Sequence, residues 1–136
     1  MDYRNIAFDN LNDADFCIKH EKYRTAAFFL QQYAENSAKA LMVRLMPSHK
    51  LLKSSAADKI LVAYDDEHIS SQVGDMVRYL SSFYIDVNDD DSNIDDITEA
   101  EALQARYCAD ELEVYFQAEL DAIARAEAGM TGRSIR

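Results

Sequence analysis

The sequence predicts an all-α protein, an antiparallel up-and-down bundle of four to five helices. Glycine and proline are scarce, with three and one among 136 residues, which favours helices joined by short turns. Apolar residues also recur at steps of three and four over several long segments, as they do along one face of a helix. A chain of this length can bury a core of its own. We therefore expect one helical domain over residues 1–128 and a flexible tail over residues 129–136.

The first two helices are predicted at residues 4–20 and 23–46. The second helix is apolar nearly all the way round, so several neighbours should pack against it at the centre of the bundle. The polar corner between the two helices is short, and therefore they must lie antiparallel. Pro47 is expected to end the central helix, because the residue before a proline is pushed out of helical geometry.

The remaining helices are predicted from their start signals and their spacing. Residues 55–58 have the form of a capping box and open a short helix, and apolar spacing predicts another helix at about residues 69–84. A second capping box at residues 98–101 opens the last long helix. We expect Gly129 to end that helix, since glycine commonly follows a helix C-terminus.

The charge of the chain argues against nucleic acid as a simple partner. The formal net charge is −11, so the field of the molecule repels polyanions. Nucleic acid would need a local basic patch or groups from a partner. No run approaches the roughly 18 apolar residues of a membrane span, and the N-terminus has no signal-peptide pattern. We expect a soluble, cytoplasmic protein with no membrane association.

Metal and cofactor signals are weak. Cys17 and Cys108 stand on the apolar sides of predicted helices without metal-ligand spacing, so we expect reduced core cysteines. His20, His49 and His68 have no second ligand one turn away, which argues against zinc. The few glycines are not clustered into a phosphate-binding loop or a dinucleotide fingerprint, and we expect no cofactor.

The acidic run at residues 86–96 partly resembles an EF-hand calcium loop. Read from its first position, the oxygen ligands would be Asn88, Asp90, Ser92, Asp96 and Glu99. However, the first ligand is Asn rather than Asp, and Asn93 stands at the sixth position in place of the usual Gly. Acid-rich runs match partial patterns readily. We therefore expect a solvated loop, with calcium as the alternative.

One narrow polar ridge crosses the central helix and includes Gln32, Glu35 and Lys39. Glu35 and Lys39 are one turn apart, with the acid first, which is the favourable order. The ridge has two interpretations. It is either a buried network that fixes the register of the helices, or, with Tyr33, part of a ligand pocket or partner surface.

Residues 27–41, AFFLQQYAENSAKAL, resemble the signature helix of the HEPN domain family, which runs roughly A-x-F-x-x-Q-Q-A-x-E-K-x-x-K-A-x. The matching positions are Ala27, Phe29, Gln32, Ala34, Glu35, Lys39, Ala40 and Leu41. Tyr33 stands where a small residue is usual. The resemblance extends over about residues 4–125 and implies the same helical bundle. Because the ridge is a shared feature of the family whether or not a branch is catalytic, its structural interpretation is favoured.

The resemblance also implies partners and an activity. HEPN domains are often homodimers, are often encoded beside a minimal nucleotidyltransferase as toxin–antitoxin-like pairs, and in many branches are metal-independent RNases. The RNase branches carry Arg, four to six residues, then His, late in the domain. Here neither Arg78 nor Arg106 is followed by such a His. Arg44 with His49 fits the spacing and the chemistry, since Arg holds phosphate and His moves a proton, but lies at the end of the central helix.

Three functions remain at this point. The first is a non-catalytic, homodimeric binding module that partners a nucleotidyltransferase or binds a nucleotide. The second is an endoribonuclease that cleaves RNA at a displaced site of Arg44 and His49, and the third is an interaction domain without any nucleotide. The acidity and the missing motif favour the first and third. Whether Phe28, Phe29 and Tyr33 form core or dimer interface stays open, because both give the same pattern.

Overall fold

A computed structural model describes residues 2–45, 71–83 and 97–135. Within these ranges the chain forms four helices and no strand: α1 (Tyr3–Lys19), α2 (Tyr23–Leu45), α3 (Ser71–Ser81) and α4 (Glu99–Ile135). The predicted all-α bundle is confirmed. Pro47, the capping box at residues 55–58 and the short helix after it lie outside the described residues. None of the described helices is both long and apolar enough to cross a membrane.

A tight corner joins α1 to α2. Asp2 caps α1, because its carboxylate accepts a hydrogen bond from the Asn5 backbone N at 3.1 Å. At the other end Glu21 takes a positive φ of 60°, and the backbone N of Lys22 donates to the Cys17 carbonyl at 2.8 Å. This pattern is a Schellman motif, which here uses Glu where Gly is usual. The reversal makes α1 and α2 antiparallel, as predicted.

The direction of α4 follows from its cross-helix contacts. Along α2, Tyr33 bonds Glu113 and Arg44 bonds Glu127, so α2 and α4 run parallel. α1 and α4 run antiparallel, because Arg4 near the start of α1 bonds Glu113, whereas Asp15 further along α1 bonds the earlier residue Arg106. Alternate helices of an up-and-down bundle run parallel in this way.

The predicted start of α4 is confirmed and its predicted end is wrong. The backbone N of Glu101 donates to Thr98 Oγ1 at 3.1 Å, and the backbone N of Thr98 donates to Glu101 Oε1 at 3.3 Å, which is a reciprocal capping box. The helix then continues through Gly129 to Ile135. Glycine costs a helix only about 1 kcal/mol relative to alanine, and no proline follows. The flexibility of residues 129–136 and the domain boundary at residue 128 stay predictions.

α2 lies at the centre of the described bundle, as predicted, since it contacts α1, α3 and α4. The small core residues Ala7 and Ala14 bring α1 close to it. The largest fully buried apolar side chains come from α2, α3 and α4 and are Tyr33, Phe116, Leu30, Leu41, Leu80 and Leu112. Cys17 and Cys108 are free and buried, as expected for core cysteines. The polar ridge of α2 is thereby enclosed on several sides.

Candidate functional site

The polar ridge of α2 lies mostly inside the bundle. Gln32 is half-buried and its Nε2 donates to the Oε1 of the buried Gln31 at 2.7 Å. Asn36 donates to the side-chain oxygen of Asn10 on α1 at 2.9 Å. Glu35 is buried as well. Gln31 and Gln32 thus bond to each other, and the neighbouring Asn36 bonds α1. Both interpretations of the ridge stay predictions.

Lys39 is one of the two ridge residues that keep some exposure. It is half-buried, and its Nζ lies 5.9 Å from the centroid of the Tyr3 ring at the start of α1. At that distance the ammonium group is attracted by the face of the ring. Of the residues predicted as a ligand or partner surface, Gln32 and Lys39 therefore keep some exposure, whereas Glu35 and Tyr33 are buried.

Tyr33 belongs to a polar cluster that joins three helices. Its hydroxyl donates to Glu113 Oε1 at 2.8 Å, while its ring packs edge-on against the core residue Phe116. Arg4 on α1 donates to both carboxylate oxygens of Glu113, and through Nη1 to Ser37 Oγ at 3.0 Å. Gln117 also accepts a hydrogen bond from Arg4, at 3.1 Å. We call Arg4, Tyr33, Ser37, Glu113 and Gln117 the Arg4–Glu113 network.

The electrostatics of the network hold Tyr33 and Arg4 in fixed protonation states. Burial, and then the negative charge of Glu113, raise the pKa of Tyr33 far above its ordinary value. Burial by itself would lower the pKa of Arg4, but the hydrogen bonds and the charge of Glu113 outweigh it and raise the pKa. At neutral pH Tyr33 is thus a neutral donor and Arg4 a cation. Neither is poised to exchange a proton during a reaction.

Arg44, one of the two sequence-predicted catalytic candidates, lies at an open groove beside the network. The groove has a volume of about 460 Å³, within the range of small-ligand sites. Its lining residues come from α1, α2 and α4 and are Asp2, Tyr3, Arg4, Ala40, Val43, Arg44 and Leu120. Arg44 Nη2 bonds Glu127 Oε2 at 2.8 Å. His49, the second candidate, lies outside the described residues.

The arginines of α3 and of the first half of α4 are engaged by carboxylates. Arg78 pairs with Asp75 on the same helix at 2.7 Å. Arg106 bonds Asp15 on α1 at 2.7 Å and also bonds Asp110, and these hydrogen bonds raise its pKa despite partial burial. His20 is the single histidine in the described ranges, and it stacks on Phe16 at the opposite end of α1 from the groove. No arginine of the described ranges is followed, after four to six residues, by a described histidine.

Metal binding finds no support within the described ranges. No group of three or more His, Cys, Asp or Glu side chains lies close enough there to hold a metal ion. Of the calcium candidates, Glu99 is exposed in the first turn of α4. Asn88, Asp90, Ser92 and Asp96 lie outside the described residues.

The sequence did not identify Arg4 and Glu113 as partners, since Arg4 was expected only to begin the first helix and no prediction concerned Glu113. The available signal was position: Glu113 stands beside the core residues Leu112 and Phe116, so a carboxylate there is partly enclosed and needs a partner. Nothing local identifies that partner, which lies 109 residues earlier in the chain.

The chain was compared with known families and proteins. The model of the HEPN domain family matches residues 1–116. Neither the curated proteins nor the solved structures gave a match. The family match covers most of the chain and includes α1, α2, α3 and the half of α4 that carries Glu113. The chain therefore belongs to the HEPN domain family.

Proposed function

We propose that this HEPN domain is a non-catalytic binding module that works as a homodimer. The observation that carries the proposal concerns Arg78 and Arg106, the arginines of α3 and of the first half of α4. Neither is followed by a histidine at the spacing of the RNase motif, and each is bonded to carboxylates. To hold an RNA phosphate, Arg106 would first have to give up Asp15 and Asp110. That loss makes it a poor phosphate ligand.

The charge of the chain supports a ligand other than RNA. A net charge of −11 repels an extended polyanion over the whole surface, whereas a protein partner or a single nucleotide meets only one local region. For the protein partner we propose the minimal nucleotidyltransferase of a toxin–antitoxin-like pair. For a nucleotide we propose the groove at Tyr3 and Arg44, because aromatic faces stack on bases and guanidinium groups pair with phosphate. Arg44 is more exposed than Arg106 and bonds a single exposed carboxylate, that of Glu127, whereas Arg106 is more enclosed and bonds two.

RNA cleavage without metal tests the absence of catalysis. The experiment uses the purified full chain, single-stranded and folded RNA substrates, and an Arg44→Ala/His49→Ala double variant. We expect no cleavage by either protein. Cleavage by the wild-type chain that is lost in the double variant would overturn the proposal and establish the endoribonuclease alternative with its displaced site.

The mass of the protein in solution tests whether it is a homodimer. Sedimentation equilibrium of the full chain should give twice the mass of a single chain at micromolar concentration. A single-chain mass across the whole accessible concentration range would remove the homodimer from the proposal. Binding of the nucleotide is measured separately by calorimetry with ATP, for which Arg44→Ala should weaken the affinity at least tenfold.

A further inference from the structure

The outer faces of α1 and α4 form one continuous surface. The two helices are antiparallel, and two ion pairs join them: Arg4 with Glu113 at one level and Asp15 with Arg106 at the other. The contacts between α1 and α4 are otherwise few. The charged groups along this seam are thus paired within the chain, so the surface on either side of it needs no opposite charge from a partner.

Large apolar side chains flank the seam at both levels. In the described part of the chain the exposed large apolar residues all belong to α1 and α4, with exposed fractions from 39% to 71%. They are Phe8, Phe16, Leu103, Tyr107 and Val114. Leu103, Tyr107 and Val114 are four and then seven residues apart, and therefore share one side of α4.

The two levels of the seam resemble each other. At one level Phe8 lies under the Arg4 guanidinium, with its ring centroid 4.6 Å from the carbon of that group, and Val114 follows Glu113 in the chain. At the other level Phe16 follows Asp15 and Tyr107 follows Arg106. Each ion pair is thus accompanied by an aromatic residue from α1 and an apolar residue from α4. We call these five apolar side chains and the seam between them the α1/α4 face.

We propose that the α1/α4 face binds the same face of a second copy of this chain. α1 has 17 residues, which gives the face a length of about 25 Å, and two packed helices are about 20 Å across. A face of that size is on the scale of the roughly 800 Å² that each partner buries in a standard interface. In a two-fold interface a patch meets itself, so one level of the face meets the similar level of the second copy.

The acidity of the chain gives this interface a distinctive salt dependence. Two copies that each carry −11 repel each other, while the attraction across the contact comes from apolar side chains rather than from opposite charges. Added salt screens the repulsion. Dimerisation through the α1/α4 face therefore becomes tighter with NaCl, whereas a basic partner attracted by charge would be released by NaCl.

The inference rests on the homodimer of the proposed function, and one substitution tests it separately. Val114→Lys puts a charge into the face while it brings the net charge closer to zero, so weaker dimerisation cannot come from greater repulsion. The matched control is Gln72→Lys, an exposed residue on α3 with the same change of charge. Sedimentation equilibrium is run on both variants and on the wild-type chain, and the helix content of each is checked by circular dichroism.

We expect Val114→Lys to raise the dimer dissociation constant at least tenfold and Gln72→Lys to leave it within a factor of two. A wild-type dimer that both variants form equally well would overturn the α1/α4 face and leave the homodimer standing. A wild-type chain that stays monomeric would overturn both.

Fluorescence provides a second test, because the sequence contains no tryptophan. The emission maximum of Tyr107→Trp should shift to shorter wavelength as the protein concentration is raised. A dimer whose emission spectrum does not change would contradict the α1/α4 face.

Discussion

At the scale of single residues, the Arg4–Glu113 network is the main polar feature of the described bundle. Its two charged side chains are largely enclosed, with 13% and 25% of their surfaces exposed. Enclosing a charge costs free energy unless its donors and acceptors find partners. Here the carboxylate accepts from Arg4 and Tyr33, and the guanidinium also donates to Ser37 and Gln117. The network therefore links α1, α2 and α4 in one register.

Tyr33→Phe should lower the free energy of unfolding by about 1–2 kcal/mol at pH 7. The substitution keeps the ring against Phe116 and removes one hydrogen bond to a charged acceptor, which contributes about that much. Urea unfolding monitored by circular dichroism measures the change. The control is Tyr79→Phe, which keeps its ring against Phe83 and removes only an exposed hydrogen bond of 3.5 Å to a neutral carbonyl, and for which we expect a change below about 0.5 kcal/mol. Equal effects of the two substitutions would contradict a specific role for the Tyr33 hydroxyl.

The stability difference between the wild-type chain and Tyr33→Phe should shrink at alkaline pH. The pKa of Tyr33 is raised in the folded state, so below a pH of about 10 both states hold the proton and the hydroxyl contributes fully. Above that pH the unfolded chain loses the proton while the folded chain keeps it. The contribution then falls by up to about 1.4 kcal/mol per pH unit. Urea unfolding of both proteins from pH 8 to 11 measures it, and a pH-independent difference would refute it.

Residue-level prediction succeeded where the signal is local. The ridge of α2 was visible as polar positions on an apolar helix, and the structure buries Glu35 while Gln32 and Lys39 keep some exposure. Tyr33 was placed on the same candidate surface, but it is a core residue. The partners of Tyr33 and Arg4 depend on which helix lies beside which, and sequence spacing carries no such information between residues 80 and 109 positions apart.

At the scale of elements, helix starts were predicted better than helix ends. The capping box at Thr98 and Glu101 is formed as expected, because its side chains satisfy backbone groups that no other local arrangement satisfies so well. The end of a helix is often set by one residue in the left-handed backbone region. Residues other than glycine adopt that region at a cost of roughly 1–2 kcal/mol. Glu21 ends the α1 corner in the left-handed region, whereas Gly129 lies within α4.

Glu21→Gly should stabilise the α1–α2 corner by about 0.5–1 kcal/mol. Glycine adopts the positive φ of this position without steric cost, and this gain exceeds the entropy that glycine loses on folding. The control is Glu21→Ala, which removes the same charge and keeps the steric cost. Thermal unfolding should give a higher midpoint for the glycine variant than for the alanine variant. The reverse order would show that the Schellman corner does not form.

Gly129→Ala should also stabilise the protein, by about 0.5–1 kcal/mol. A Cβ added at this position meets no atom within 4 Å, and alanine is the better helix former. The sign of the change in the free energy of unfolding distinguishes a helix that continues through Gly129 from one that ends there. If Gly129 ended the helix in the left-handed region, as the sequence alone predicted, alanine would destabilise it by a similar amount. Urea unfolding and the helix content by circular dichroism measure the change.

At the scale of the whole molecule, the architecture and the family were predictable and the assembly was not. Both were predicted from the central helix. Its apolar pattern required neighbours on several sides, which indicated a bundle, and its signature residues indicated the family. Assembly is harder to predict, because an apolar helix face has the same sequence pattern whether it packs in the core or against a partner. The packing of α4 against α2, α3 and α1 buries Ala105 and Leu112 and leaves Tyr107 and Val114 exposed.

The thermal stability of the fold should rise with salt at neutral pH. The chain carries 25 acidic and 14 basic side chains, so like charges repel over the folded surface. Raising NaCl from 10 mM to 100 mM shortens the screening length from about 30 Å to about 10 Å. This removes much of that repulsion, whereas enclosed pairs such as Arg4 with Glu113 are screened much less. We expect the midpoint of thermal unfolding to rise by roughly 2–6 °C, equivalent to about 1 kcal/mol.

Because dimerisation also responds to salt, the measurement uses Val114→Lys at low protein concentration. The control is the same pair of salt concentrations near pH 4.5, the isoelectric point of the sequence, where the net charge vanishes and the midpoint should not move. A midpoint that falls with NaCl at pH 7 would mean that attraction within the surface ion pairs outweighs the net repulsion of the acidic chain.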